Sequence, residues 1–399
     1  MALTIKEISQ KPKIEHLLRA NSDLRISARP NMLILSYLDH PSYIGMSKRI
    51  KGIIKVLEME NISISVLCPI FLYSWRARAN KDYYNYIDIR FLQKMGTTRL
   101  LTRLLALLLY SFFALLKIVK LKPKIIQYQT LYSSVPAILA KYLTRSVIIG
   151  DDILWDNLCT HGILRSFFMI LLSLTDIILT PSMRVKNYIK KVFPAKLTLY
   201  VSNGVDEVSQ ISMPTNRAVF IGTFTYSENL KALERIVRVS EHLKKCNINF
   251  EIVIIGGPLH LISSFIRNDE NLLFAGIVSE SELEKIYSSS FIGLAPFFAE
   301  VTGGQRMKCL EYFAHGLLVV SGKAGVDGIL GVRDGIHFIF VNSEVEMMEK
   351  LKNIFREPNK YVEIARAGRS FILTNFSWRK VLEDYVRMIK ELLSGQMKF

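Results

Sequence analysis

Between Ala295 and Ile329 the chain reads APFFAEVTGGQRMKCLEYFAHGLLVVSGKAGVDGI, an order of elements that few folds accommodate. The apolar run Phe291 to Ala295 ends at Pro296 and predicts a buried strand. Thr302-Gly303-Gly304 then lets the backbone turn tightly into a helix that carries Arg306, Lys308 and Glu311. Leu317 to Ser321 predicts the next strand, and Gly322-Lys323-Ala324-Gly325 a second loop at its carboxyl end. In open α/β sheets, ligands sit outside such ends. The first helical turn leaves N–H groups without partners and points a positive dipole end forward, which suits a diphosphate.

The same alternation runs through the rest of the chain. Asn31 to Tyr37, Ile62 to Cys68, Ile125 to Tyr128, Ser146 to Gly150, Ile177 to Thr180 and Leu197 to Val201 read as short buried strands. A loop with Pro41 and Gly45 leads into a helix with Ile50, Ile53, Ile54 and Leu57 on one face. TPSMRVKNYIKKVF supplies another helix. The polar stretch Asp206 to Asn216, with Pro214, reads as a linker. A second sheet follows: Arg217 to Ile221 with the turn Gly222-Thr223, a helix over Asn229 to Lys244, Phe250 to Ile255 with Gly256-Gly257, and Leu272 to Ala275. From Glu363 the pattern is helical, with a break at Phe376-Ser377-Trp378. A chain of 399 residues exceeds one average core, so we expect an α/β protein of two doubly wound domains.

Half of the residues are hydrophobic and mean hydropathy is +0.23, which excludes a disordered chain. The net charge of +17 demands an anionic partner. Because Lys and Arg flank Leu- and Phe-rich runs, that partner is expected to be an acidic lipid surface and not a nucleic acid. Arg99 to Lys124 carries the strongest signal. Its uninterrupted apolar part, Leu104 to Leu116, falls short of the about 20 residues a membrane-crossing helix needs. Two readings stay open, an interfacial helix with basic flanks and a buried core helix. Leu164 to Leu174 is a second apolar stretch. WRARANKDYYNYIDIRF is open between an acceptor-cleft lining and a loop with an edge strand. Cys68, Cys159, Cys246 and Cys309 lack the spacing of a zinc or dithiol site, and no signal-peptide core stands near the N-terminus, so a reducing cytoplasm is expected.

These motifs, GGxRxKxLExxxxG above all, resemble glycosyltransferase family 4 of the GT-B fold. TDIILTPSMRVKNYI is similar to the family's end of the first domain, VSNGVD to its interdomain signature, and FIGTFTYSENLKAL to the opening of its second domain. The resemblance implies two Rossmann-like domains, 1–205 with 378–399 and 206–377, whose parallel sheets face each other across a cleft, and a C-terminal helix that crosses back to the first domain. It implies a nucleotide-sugar donor held mainly by the second domain. Glu311 would accept hydrogen bonds from the ribose hydroxyls. Gly303, Gly304 and Gln305 would offer backbone N–H groups, with Arg306, Lys308, Gly222, Thr223 and Gly45 also around the substrate. The family usually carries a first glutamate where this chain has Gly303, and Glu300 stands three residues out of register. Lys231, Ile277-Val278 and Gly256-Gly257 are further candidates for phosphate and base contacts.

Family resemblance further implies transfer with retention and without a metal or other cofactor, the leaving diphosphate receiving the acceptor proton. An inverting enzyme would need a general base, for which Asp151, Asp152 and His40 are the candidates. The acceptor is expected to be a lipid-linked saccharide or polyprenyl (di)phosphate, met at the inner face of the membrane by a peripheral protein. The alternative is a catalytically degenerate, membrane-associated binding or scaffold subunit.

Overall fold

The computed structural model describes residues 30–36, 45–70, 84–88, 99–130, 133–151, 162–209, 211–262, 265, 269–298 and 305–397. Among them the first sheet is built from β1 (Met32–Ser36), β2 (Ile64–Ile70), β3 (Tyr84–Asp88), β4 (Ile125–Gln129), β5 (Val147–Asp151), β6 (Ile177–Thr180) and β7 (Leu197–Tyr200). The helices of this region are α1 (Gly45–Met59), α2 (Arg99–Leu121), α3 (Ser134–Thr144), α4 (Gly162–Leu174) and α5 (Met183–Val192). All strands pair in parallel in the order β3-β2-β1-β4-β5-β6-β7. β1 is buried along its whole length, which is why MLILS carries no polar alternation. The stretch left open between cleft lining and edge strand contributes β3, the edge strand. The candidate Asp151 closes β5.

The second sheet contains β8 (Arg217–Thr223), β9 (Glu251–Gly257), β10 (Leu272–Gly276), β11 (Ile292–Ala295), β12 (Leu318–Ser321) and β13 (Ile339–Phe340), parallel in the order β10-β9-β8-β11-β12-β13. Its helices are α6 (Ser227–Lys245), α7 (Glu280–Ser289), α8 (Met307–Ala314), α9 (Lys323–Val326), α10 (Glu344–Arg356), α11 (Val362–Phe376) and α12 (Trp378–Val381); α13 (Glu383–Ser394) closes the described chain. Ser279 caps α7 in a reciprocal box with Glu282, and Ser343 caps α10. Gly322-Lys323-Ala324-Gly325, expected as a loop, instead winds into the short α9 behind Gly322.

The chain divides into two compact units, Met1–Val201 with Asp384–Phe399, and Ser202–Glu383. These borders stand a few residues from the expected 205 and 378. The closing helix belongs to the first unit: Tyr385 donates from its hydroxyl to Gln127 Oε1 at 2.6 Å, and Lys390 pairs with Glu60 at 2.6 Å. On the other face of the first sheet, Leu33, Leu35, Ile126, Tyr128 and Ile178 pack under Ala106, Tyr110, Ala114 and Ile118 of α2, Ala137 and Ile138 of α3, Phe168 and Leu172 of α4, and Val185 and Ile189 of α5. The second sheet has its own core, in which Tyr312 of α8 presses its ring against Gly293 of β11. A Cβ on Gly293 would stand 2.5 Å from that ring, so the glycine sets the depth at which α8 docks.

Candidate active site

In the second unit strand order reverses between β8 and β11, and a crevice at the carboxyl edge is expected there. Gly222 and Thr223 end β8 beside Gly256 and Gly257 of β9. Gly256 has φ +134° and lies so close to the neighbouring strand that a Cβ would stand 1.8 Å from the Gly222 carbonyl oxygen. No residue with a side chain fits at Gly256, so the two strands run together closely at their ends. Asn229, near the start of α6, donates to the Thr223 carbonyl at 2.9 Å. Its Oδ1 accepts from Lys308 Nζ at 3.0 Å.

Lys308 and Arg306 form the electrostatic centre. Lys308 Nζ lies 4.8 Å from the Phe220 ring centroid and 5.0 Å from that of Phe297, while the Arg306 guanidinium covers the same Phe297 at 3.6 Å. Burial, reinforced by the neighbouring Arg306 charge, pushes the Lys308 ammonium down to about 7. Burial also lowers Arg306 from its ordinary value. Arg306 Nε donates to the Ala324 carbonyl at 3.1 Å, but its Nη2 is buried without a hydrogen-bond partner among the described residues. A desolvated guanidinium with an unused donor is costly unless an anion completes it.

One turn further on, Glu311 is held from behind. Tyr287 of α7 donates its hydroxyl to Glu311 Oε2 at 3.2 Å. Burial first, and then the Glu311 charge, keeps that phenol well above its ordinary value, so it remains a donor. His315 lies 4.3 Å from the Tyr287 ring; its Nδ1 is 2.8 Å from the Glu311 carbonyl oxygen and its Nε2 2.9 Å from Glu284 Oε2. Tyr312, the residue after Glu311, accepts from the Ile221 backbone N–H at 3.0 Å. This ties α8 to β8, so Glu311 and the Gly222-Thr223 turn share one rigid frame.

The structure thus brings together Gly222, Thr223, Lys308 and Arg306, with Glu311 on the same short helix; Arg306 caps α8 and does not lie within it. Gln305 is otherwise employed: its Oε1 accepts from Ser202 Oγ at 2.9 Å and from the Asn203 N–H at 2.8 Å, and its Nε2 donates to the Gly328 carbonyl at 2.7 Å. Lys231 stands on the exposed face of α6, paired with Glu228 at 3.0 Å. Ile277 packs against Gly257 and remains 60% exposed, a flat apolar surface next to the strand ends. Gly303, Gly304, Glu300, His40 and Asp152 lie outside the described residues, and Gly45 opens α1 in the first unit.

Asp151 requires a correction as a candidate general base. Its carboxylate is fully buried, pairs with Arg49 at 2.7 Å, and accepts from Gln127 Nε2 at 3.0 Å and Gln129 Nε2 at 2.6 Å. Arg49 reaches on to the Val201 carbonyl at 3.0 Å. A buried carboxylate held by an arginine and two glutamine amides is a structural anchor, with its oxygens already engaged by protein donors. The Oε1 of that same Gln129, at the end of β4, and Ser133 Oγ, at the N-cap of α3, are buried with no partner among the described residues. Sequence reasoning missed these two groups and Tyr287. No spacing rule marks them, although the Ser279-x-x-Glu282 box was a usable signal for the helix that carries Tyr287.

Comparison with known proteins places these observations. Residues 215–357 match the family model described as Glycosyl transferases group 1. A glycogen synthase from Clostridium botulinum is 25% identical over 199 residues, covering 46% of this chain and 40% of that protein. An uncharacterized 44.6 kDa protein in the cps region of Klebsiella pneumoniae is 24% identical over 173 residues, covering 42% and 44%. The chain thus spans less than half the length of these curated relatives. Among solved structures, a sucrose-phosphate synthase from Thermosynechococcus elongatus superposes with a TM-score of 0.72 at 11% identity, over 92% of this chain and all of that one. Anabaena HepE in complex with UDP and glucose gives 0.67 at 11%, over 90% and 99%. At such identities the likeness establishes the fold, which is GT-B.

Proposed function

We propose that the protein is a glycosyltransferase that moves a sugar from a nucleoside diphosphate sugar to an acceptor; the match of residues 215–357 to the Glycosyl transferases group 1 model, within a chain of GT-B fold, supports this reading. The observation that carries this reading is the Arg306–Lys308 pair: two desolvated cations over Phe297, one with an unused donor, tied through Asn229 to the glycine-rich end of β8. A diphosphate supplies the missing charge and acceptors. Glu311, oriented by Tyr287, takes the ribose hydroxyls, and Ile277 offers a surface to the base. Anabaena HepE, of the same fold, has been solved with UDP-glucose, which supports a donor of this class.

The reaction we favour retains configuration and uses no metal. The bond from the anomeric carbon to the diphosphate oxygen breaks, the bond to the acceptor oxygen forms on the same face, and the acceptor proton passes to the departing diphosphate. The saturation of Asp151 supports this route, since it removes one base that inversion would need. Arg306 and Lys308 stabilise the charge that grows on the leaving group. The acceptor is a lipid-linked saccharide or polyprenyl (di)phosphate at the cytoplasmic face of the membrane.

A thermal-shift screen of the full chain against nucleotide-sugars tests the reading and narrows the donor. The correct donor at about 100 times its dissociation constant adds about 2.7 kcal/mol, a rise of about 5 °C or more for a unit of this size. Glu311→Ala should weaken that donor by about 1.5–3 kcal/mol, the value of a hydrogen bond to a charged group. If no nucleotide-sugar moves the transition, the scaffold alternative takes over.

A further inference from the structure

We propose that the outer surface of the α2–α3–α4 helical layer is a docking face for an anionic lipid bilayer. α2 is amphipathic in an inverted sense. Its inner face is small and sealed onto the sheet through Ala106, Ala114 and Ile118, and Tyr110 donates from its hydroxyl to the Leu67 carbonyl at 3.2 Å. The outer face presents Leu104, Leu108, Phe112, Leu116 and Val119, all exposed, with Leu108 at 65%. A solvated helix carries charge there. The stripe continues sideways, because α3 touches both α2 and α4 and exposes Tyr142 and Leu143 beside Phe167 and Ile170 of α4. A contiguous apolar face of this breadth marks an interaction surface.

Charge identifies the partner. From Arg99 to Gly150 the chain holds eight Lys and Arg and no Asp or Glu. Lys120, Lys122 and Arg145 are exposed at the carboxyl ends of α2 and α3, and Arg165 and Arg184 at the amino ends of α4 and α5, so cations frame the apolar band at both ends. Acyl chains suit the band and acidic headgroups its rim. A second copy would set one strongly cationic face against another. Crossing the bilayer is excluded by the seal of α2 on the sheet, although Leu104–Leu121 is long and apolar enough to span. The proposal does not depend on the chemistry of the donor site, and its test uses no donor.

The full chain is floated with phosphatidylcholine vesicles, with and without phosphatidylglycerol. Binding is expected only with phosphatidylglycerol, and is expected to fall at least tenfold in the double variant Leu108→Glu/Phe112→Glu. The rim variant Lys120→Glu/Lys122→Glu should lose it in the same sense. A melting temperature equal to the parent's certifies each variant's fold, and all four positions are exposed. Absence of binding to phosphatidylglycerol vesicles at low salt overturns the proposal, as does parental binding by a folded Leu108→Glu/Phe112→Glu protein. So does a dimer in sedimentation velocity that Leu108→Glu dissolves while vesicles remain unbound, since the face would then serve self-association.

Discussion

Arg49 and Arg306 are both drawn into the protein near the carboxyl ends of parallel strands, one in each unit, and they end in opposite states. Arg49 meets Asp151 and the Val201 carbonyl, and the Asp151 side of the network runs through Gln127 to Tyr385. Arg306 has one carbonyl, an aromatic face and a donor left over. The difference teaches where each unit does its work. A saturated cation is scaffold, whereas an incompletely satisfied one is a place prepared for something that is not protein. Net charge divides in the same way. Residues 202–383 carry 20 Lys and Arg against 21 Asp and Glu, net −1, and the remainder 32 against 14, net +18. The second unit balances its charges and draws two cations, Arg306 and Lys308, into a site; the first carries the whole excess of positive charge.

The comparison breaks most forcefully at Asp151. Asp151→Asn leaves Arg49 buried without its counter-charge and should cost about 3–5 kcal/mol of stability. That is a fall of about 10 °C in melting temperature, while the affinity for UDP of the folded fraction stays at the parental value. A variant that melts like the parent but has lost turnover would return Asp151 to the role of general base and erase the distinction drawn here.

Arg306 should behave in the reverse manner. Arg306→Met keeps a long side chain over Phe297 and removes a buried Nη2 donor that has no partner among the described residues, at the cost of the single bond to the Ala324 carbonyl, so the melting temperature should change little. UDP affinity, read by calorimetry, should fall by about 10- to 100-fold, corresponding to the 1.5–3 kcal/mol of a charge-assisted hydrogen bond. A large loss of stability with unchanged affinity would make Arg306 a second scaffold arginine.

These contrasts also mark what the sequence could and could not reveal. β1 was legible because a strand covered on both faces reads as an unbroken apolar run, and α8 because a glycine loop precedes a helix with Lys308 and Glu311 on it. Asp151 misled because a carboxylate at a strand end looks the same whether it is a base or an anchor. What decides is Arg49, 102 residues earlier in the chain. Tyr287 was invisible for the same reason, since it reaches Glu311 across 24 residues and two elements. Leu104 to Leu116 left core and interface both open because it is apolar nearly all round, and periodicity carries no information when both faces are apolar. Packing shows that the helix is half core and half exposed surface.

The smallest expected effect sharpens the comparison by proton count. The ammonium of Lys308 sits near 7 in the folded chain against an ordinary value of 10.5, so between these values the unfolded chain binds more protons than the native one. Stability therefore gains from this residue as pH rises through that window. Donor binding runs the other way, because a diphosphate beside Lys308 favours the ammonium and draws a proton in. UDP affinity should weaken by about tenfold between pH 7 and 8.5, with proton uptake visible as a dependence of binding heat on the buffer's ionisation enthalpy. Lys308→Arg, whose guanidinium stays charged throughout, should flatten the profile. No comparable proton exchange is expected from Arg49, which already has its counter-ion. A flat profile in the parent protein would mean that Lys308 keeps its charge without the donor, and that the second unit's site, like the first unit's arginine, is satisfied before any ligand arrives.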